Sequence, residues 1–311
     1  MSNIGSISSR AMLCTLSISQ WSARKLDMAA SKKTTSDAGA SSDAARVNKF
    51  LLAGNDQGLK IISEIATSAR QLVYEMTLPW EKKGASILSV DLWPRLNAGL
   101  TQKASDFREA VERFGAIDYV HVRTQARFSL GNLFDEADYP SPSKIIERFS
   151  FSYSFDPIPD QGDFRVSLGD ADIEMIKKDI ERRTSDRIAA AMRGTWQRLY
   201  DKVQHIADTL PRYESGEQKK LFDSMLSNVV DLVEILPGLN IANDPALTVM
   251  TDRVRAELVP IKMAALKTQP GARDAATKSA VSILAAMTAH LSQSDTDSSM
   301  KYMPYSEIKV A

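Results

Sequence analysis

The stretch that decides the fold is GDADIEMIKKDIERRTSDRIAAAMRGTWQRLYDKVQHIADTL, residues 169–210. It contains no proline, and Ile173, Ile176, Ile180, Ile188, Ala191, Leu199, Val203, Ile206 and Leu210 follow the three-and-four spacing of one helix face. Asp170, Asp172 and Glu174 fall in the first turn, where carboxylates meet the positive end of the helix dipole. The pattern predicts a helix over 170–210, on the order of 60 Å long at ~1.5 Å per residue. That exceeds a small domain. The helix either spans the molecule or forms half of a coiled coil, with Gly194 as the point where it would loosen.

Just before it, Phe149, Phe151, Tyr153 and Phe155 alternate with Ser150, Ser152 and Ser154, the period of a half-buried strand. The loop DPIPDQG separates this run from Phe164, Val166 and Leu168, so 149–168 is expected to form a β-hairpin. Two strands alone are marginal. Met12, Cys14, Leu16 and Ile18, alternating with Thr15, Ser17 and Ser19, offer a third strand, with Cys14 facing inward as a small hydrophobe rather than a reactive thiol.

Elsewhere, residues 29–45, AASKKTTSDAGASSDAA, carry no large apolar side chain and read as a mobile loop. Leu59, Ile62, Ala66, Ala69, Val73 and Met76 mark a helix that Pro79 stops. A second helix starts near Leu92 to Pro94 with Asp91 as cap and runs through Phe107, Val111 and Phe114 to a stop at Gly115, and Tyr119 to Phe134 has a weaker helical pattern. Beyond 210, helices are predicted over Gln218 to Leu236, stopped by Pro237 and Gly238, over Pro245 to Leu266 with Asn243 or Asp244 as cap and a kink at Pro260, and over Arg273 to Leu291. The expected fold is α+β and predominantly α: a long-helix bundle or stalk with a small antiparallel hairpin or three-stranded sheet. Its expected divisions are a disordered N-terminus (1–10), a domain over 11–210, a C-terminal helical region (211–291) and a disordered polar tail (292–311).

The 311 residues carry 39 Lys plus Arg against 39 Asp plus Glu, a formal charge of zero, and no segment is an electrostatic tail. There is no global attraction to phosphate backbones or anionic lipid. No apolar run approaches the ~18 to 20 residues that cross a bilayer, and the N-terminal apolar run is too short and interrupted for a secretory signal. A lone Cys14 fits a reducing compartment.

His121, His205 and His290 are far apart, with no CxxC or HExxH spacing, no phosphate-binding GxGxxG or GxxxxGK[ST], and no GxSxG. A non-enzyme without cofactor is expected. Asp135, Glu136 and Asp138 before the hairpin, and Asp160, Asp163, Asp170 and Asp172 around its second strand, would hold Mg²⁺ or Ca²⁺ if the ends converged. Asp135, Asp138, Asp163 and Asp170 are the candidate ligands, and a metal-dependent enzyme is the minor reading. The alternative assigns these acids to turns and helix caps. Lys177, Lys178, Arg182, Arg183, Arg187, Arg193 and Arg198 give residues 177–198 seven basic groups against Asp179, Glu181 and Asp186, with Trp196 and Tyr200 close behind. Such a helix could track single-stranded nucleic acid by phosphate contact and base stacking. Alternatively, pairs such as Glu174/Lys178, Asp179/Arg183 and Lys177/Glu181 neutralise one another on a solvated face, and the aromatics belong to the core.

The strings LPW (Leu78 to Trp80), LGNLFDEADYPSP (Leu130 to Pro142), FSFSYSFDPIPDQGDFRV (Phe149 to Val166) and TWQRLYDKV (Thr195 to Val203) resemble a family of uncharacterised proteins of tailed bacteriophages and prophages, over roughly Leu13 to Leu210. The resemblance implies a phage setting and no catalytic residues; a related group is encoded near MoxR-type AAA+ ATPases and von Willebrand A-type proteins. The expected function is therefore a non-enzymatic interaction or scaffold protein in the host cytoplasm, self-associating or acting as adaptor to a phage-encoded AAA+ ATPase, with no membrane partner. The alternative is a single-stranded nucleic-acid-binding or recombination accessory protein using the basic stretch.

Overall fold

The proline-free spacing of 169–210 becomes a 45-residue helix that continues past Gly194 and Pro211. The computed structural model describes residues 7–54, 56–80, 84–159, 170–214, 216–217 and 220–297. In chain order, β1 (Ala11–Ser19) and β2 (Arg24–Asp27) lead into α1 (Met28–Asp37), and β3 (Val47–Phe50) precedes α2 (Gln57–Met76). Strands β4 (Leu78–Pro79) and β5 (Ser86–Ser89) precede α3 (Trp93–Arg113), which a π-helical turn, Phe114–Asp118, joins to α4 (Tyr119–Leu130). After α5 (Pro142–Ile145) and β6 (Ser150–Pro157) come α6 (Asp170–Glu214), α7 (Ser224–Leu239), α8 (Pro245–Glu257), α9 (Met263–Thr268) and α10 (Pro270–Asp297). The described residues are 69% helical with a small antiparallel sheet, an α+β fold that is mainly α.

It divides into two compact units, the first comprising Met1–Cys14, Tyr74–Pro94 and Phe155–Ala311, the second Thr15–Val73 and Arg95–Ser154. The expected boundary near 210 is not among these divisions. The physical reason lies in α6, whose Ile188, Ala191, Leu199, Val203, Ile206 and Leu210 are buried and which packs along α10 and α7, so the C-terminal helices share its core. On α10 the answering side chains are Ala276, Ala280, Ile283 and Met287, again one face.

Within the first unit, three punctuation signals act differently from expectation. Helix α7 runs past Pro237 to Leu239. A proline there removes the donor to the carbonyl four residues back, Val233, and the Arg255 guanidinium from α8 donates to that oxygen at 3.3 Å. Gly238 does not stop the helix either; a Cβ on it would lie 2.6 Å from Leu92 Cγ, so glycine there admits a neighbouring side chain. Pro260 separates α8 from α9 instead of kinking one helix. Of the two candidate caps, Asp244 is the one, accepting from the Ala246 and Leu247 N–H groups at 2.9 and 3.3 Å. Residues 7–10, expected to be disordered, are held in place: Ile7 is buried and Arg10 donates to Asn243 Oδ1 at 2.6 Å. Helix α10 also passes its expected limit at Leu291 and reaches Asp297, the last described residue of the expected tail.

The four-stranded sheet has the order β4-β5-β1-β6, so the third strand foreseen at Met12 to Ile18 is indeed the neighbour of β6. Ala11 to Cys14 pair antiparallel with Ser89 to Ser86, and Leu78 pairs with Ile87. The expected hairpin partner of β6, Phe164, Val166 and Leu168, lies outside the described residues. Along β6, Phe151 and Tyr153 are half-buried while Ser150, Ser152 and Ser154 are exposed, as alternation requires.

In the second unit, Ile62, Ala66, Phe107, Val111, Phe114, Tyr119 and Phe149 form the core. Gly115 is no stop: the helix passes through the π turn, and a Cβ there would come within 2.7 Å of Ile146 Cγ1. The loop expected over 29–45 is helical through Asp37. Asp27 caps α1 by accepting from Ala30 N–H, and the helix docks through Ser31 and Thr35, both buried, with Ser31 Oγ accepting from Val47 N–H at 2.9 Å. Hydroxyls that satisfy backbone groups replaced the large apolar side chains whose absence suggested a loop. Among the described residues no helix is long and apolar enough to cross a membrane.

Candidate functional site

Strands β2 and β3 pair as a two-stranded ribbon in the register Arg24 with Phe50, Lys25 with Lys49, Leu26 with Asn48 and Asp27 with Val47. Alternation puts Lys25 and Lys49 on one side, Arg24, Leu26, Asn48 and Phe50 on the other. The ribbon is flanked by two non-glycine residues at positive φ, Ala23 (51°) and Ala53 (47°). Left-handed backbone with a Cβ costs roughly 1–2 kcal/mol per residue, and such strain gathers where a structure holds a particular geometry for use.

On the lysine side, Lys49 is almost fully buried. Its ammonium bonds to Asp138, lies 3.6 Å from Asp27 Oδ2 and donates to the Leu133 carbonyl at 3.0 Å. Lys25 bonds to the other Asp138 oxygen. The Asp138 bond holds Lys49 above the ordinary lysine range. Burial alone would raise the Asp138 carboxyl, but the bonds from Lys25 and Lys49 outweigh it and hold that carboxyl below its usual range. Asp27 is also held low, by the Ala30 N–H first and by Lys49 after it. The network is closed on itself.

Against the ribbon opens a cavity of about 490 Å³, with an aliphatic wall of Val47, Leu52, Leu59, Leu130 and Leu133. This volume lies within the range of ordinary ligand sites, ~300 to 1,000 Å³. Arg24 and Phe50 line it too, the guanidinium carbon 4.9 Å above the ring centroid. Phe50 is 56% exposed, Leu133 41% and Leu26 36%. The arrangement can receive an apolar group and offer it one cation.

The residues singled out from the sequence lie elsewhere, with one exception. Asp138 belongs to the lysine network; Asp135 caps a 3-10 turn through Ala137 N–H at 3.0 Å, Glu136 pairs with Arg123, Asp170 opens α6, and Asp163 falls outside the described residues. Among the described residues no group of three or more His, Cys, Asp or Glu is placed to hold a metal ion. On α6, Arg182 and Arg183 both reach Asp179 at 2.6 Å, and Lys177 lies 3.9 Å from Glu174. Arg187 sits over Trp80 at 4.7 Å and Arg198 over Tyr74 at 4.6 Å, while Lys178 and Arg193 are exposed. Trp196 is buried, donates Nε1–H to Asp244 Oδ2 at 2.8 Å and stacks on His290, so it presents no face to a base.

Arg24, Lys25, Asp27, Lys49 and Phe50 carried no legible signal in the sequence. Each ribbon strand is four residues long, too short for period two to stand out, and their partner Asp138 is remote in the chain. Comparison of the chain with protein-family models, with curated proteins and with solved structures finds no match in any of the three.

Proposed function

We propose that this chain is a non-enzymatic interaction protein that docks a protein partner through the cavity face of its second unit. The observation that carries the reading is an aliphatic cavity lined in part by exposed Phe50 and Leu133, whose buried Lys and Asp groups are already committed to one another. Exposed apolar rims around a pocket mark sites of association, and charges locked in pairs are poor acids, bases or nucleophiles. The phage setting, a scaffold or AAA+ adaptor role in the host cytoplasm and self-association form the biological part of the same proposal. So does a long-helix bundle built on α6 as the rigid frame of the first unit.

The test compares the proteins captured from lysate by the wild type and by a Phe50→Asp/Leu133→Asp variant, both substitutions at exposed positions. Partners held by the wild type and lost from the variant are expected. Identical capture profiles, or none, would overturn the reading.

A further inference from the structure

Resting on that docking reading, we propose the chemistry of the partner: an acidic protein segment that inserts one large apolar side chain into the cavity while its carboxylates meet Arg24 and Arg127. The floor selects the anchor. Val47, Leu52, Leu59, Leu130 and Leu133 offer dispersion contacts but no hydrogen bonds from their side chains, which suits Leu, Phe or Trp. Ser22 and Asn48 also line the cavity, but against the five aliphatic side chains the polar edges of a nucleobase would lose hydration that a Leu, Phe or Trp side chain does not need.

Charge selects the flanks. Asp27, Lys49, Asp138 and Lys25 satisfy one another, and Asp56, which also lines the cavity, pairs with Lys60 at 2.9 Å. Two guanidinium groups of this unit rest on rings instead of carboxylates: Arg24, which lines the cavity, on Phe50, and Arg127, outside the lining but one turn before the lining residue Leu130 on α4, on Phe134 at 5.8 Å. Neither has an ion-pair partner among the described residues. A stacked guanidinium keeps its N–H edges free for bidentate bonding to a carboxylate, and the ring holds the fork in place. Exposed Phe50 and Leu133 at the cavity, with exposed Leu26 on the same ribbon side as Phe50, extend the apolar surface beyond what a small anion would cover, which favours a protein segment.

The experiment pans a displayed library of short random peptides on the full chain. Enriched peptides are expected to carry a large apolar residue flanked by Asp or Glu, and to bind less tightly as salt is raised. An Arg24→Glu/Arg127→Glu variant should lower their affinity by about tenfold or more and turn enrichment toward Lys- and Arg-flanked peptides. Leu133→Trp, which fills the cavity from its rim, should block both classes. Matching thermal unfolding of each variant and the wild type shows that folding is intact; Arg24→Gln substitutes if the double reversal unfolds. Acid-poor winners that ignore the charge reversal but are blocked by Leu133→Trp overturn the acidic partner and leave the docking reading standing. Winners indifferent to Leu133→Trp, or no winners, overturn both. A labelled single-stranded oligonucleotide that binds and is lost with the same substitutions overturns the protein partner in favour of nucleic acid.

Discussion

Lys25 and Lys49 face each other directly across the β2–β3 ribbon, and both ammonium groups end on the two oxygens of Asp138. Like charges in register oppose strand pairing, so the ribbon depends on that one carboxylate. Asp138→Asn should destabilise the protein by about 3 kcal/mol, the scale of a buried pair broken on one side, read by urea unfolding at neutral pH.

The same network sets a pH dependence. Asp138 is held below its ordinary value of 3.8, so its contribution is present above pH ~4 and lost as pH falls through the lower folded value. Lys49 is held above 10.5, so its contribution is present below that pH and lost as pH rises through the folded value. Wild type and Asp138→Asn should therefore differ most between about pH 5 and 9 and converge in strong acid. A constant difference down to pH 2 would refute this assignment.

In α7, Arg255 supplies the bond to Val233 that Pro237 cannot. Arg255→Ala should cost about 1 kcal/mol or more in the wild type. In a Pro237→Ala background, where a backbone N–H returns, it should cost almost nothing. A double-mutant cycle with no coupling between the two positions would show that the guanidinium does not stand in for the missing donor.

Two glycines in helices should respond in opposite directions to alanine. At Gly194 an added Cβ meets nothing within 4 Å, so Gly194→Ala should stabilise by about 0.5–1 kcal/mol. At Gly238 the Cβ would strike Leu92, and Gly238→Ala should destabilise by about 1–3 kcal/mol despite alanine's better helix propensity. Melting temperatures of the two variants decide it.

Cys14 is buried in β1, and burial pushes its thiol up to about 11. Because the thiolate is the nucleophile, alkylation of the native protein at pH 8 should be on the order of a hundredfold slower than in urea. Equal rates would place the thiol at the surface.

Much of the architecture was legible beforehand. The face Ile62, Ala66, Ala69 and Val73, the C-terminal part of α6 and the alternation of β6 are patterns written within one element, so near neighbours suffice to read them. The DYPSP string, Asp138 to Pro142, has a structural role in the second unit: Asp138 joins the two lysines, Tyr139 O–H donates to the Leu51 carbonyl, and the Pro140 carbonyl accepts from Tyr119 O–H. Nothing in the string itself states those partners.

Periodicities of 3.6 and 2 alone established a mainly helical α+β chain with a long helix after an aromatic strand, because amphipathic spacing is a property of consecutive residues. Helix ends, the division into two units and the ribbon with its cavity were decided only on folding. A proline or glycine stops a helix unless a remote group compensates, as Arg255 does at Pro237, and a buried lysine is tolerable only where a distant acid arrives, as Asp138 does at Lys49. Those contacts join residues far apart in the chain, and no local pattern encodes them.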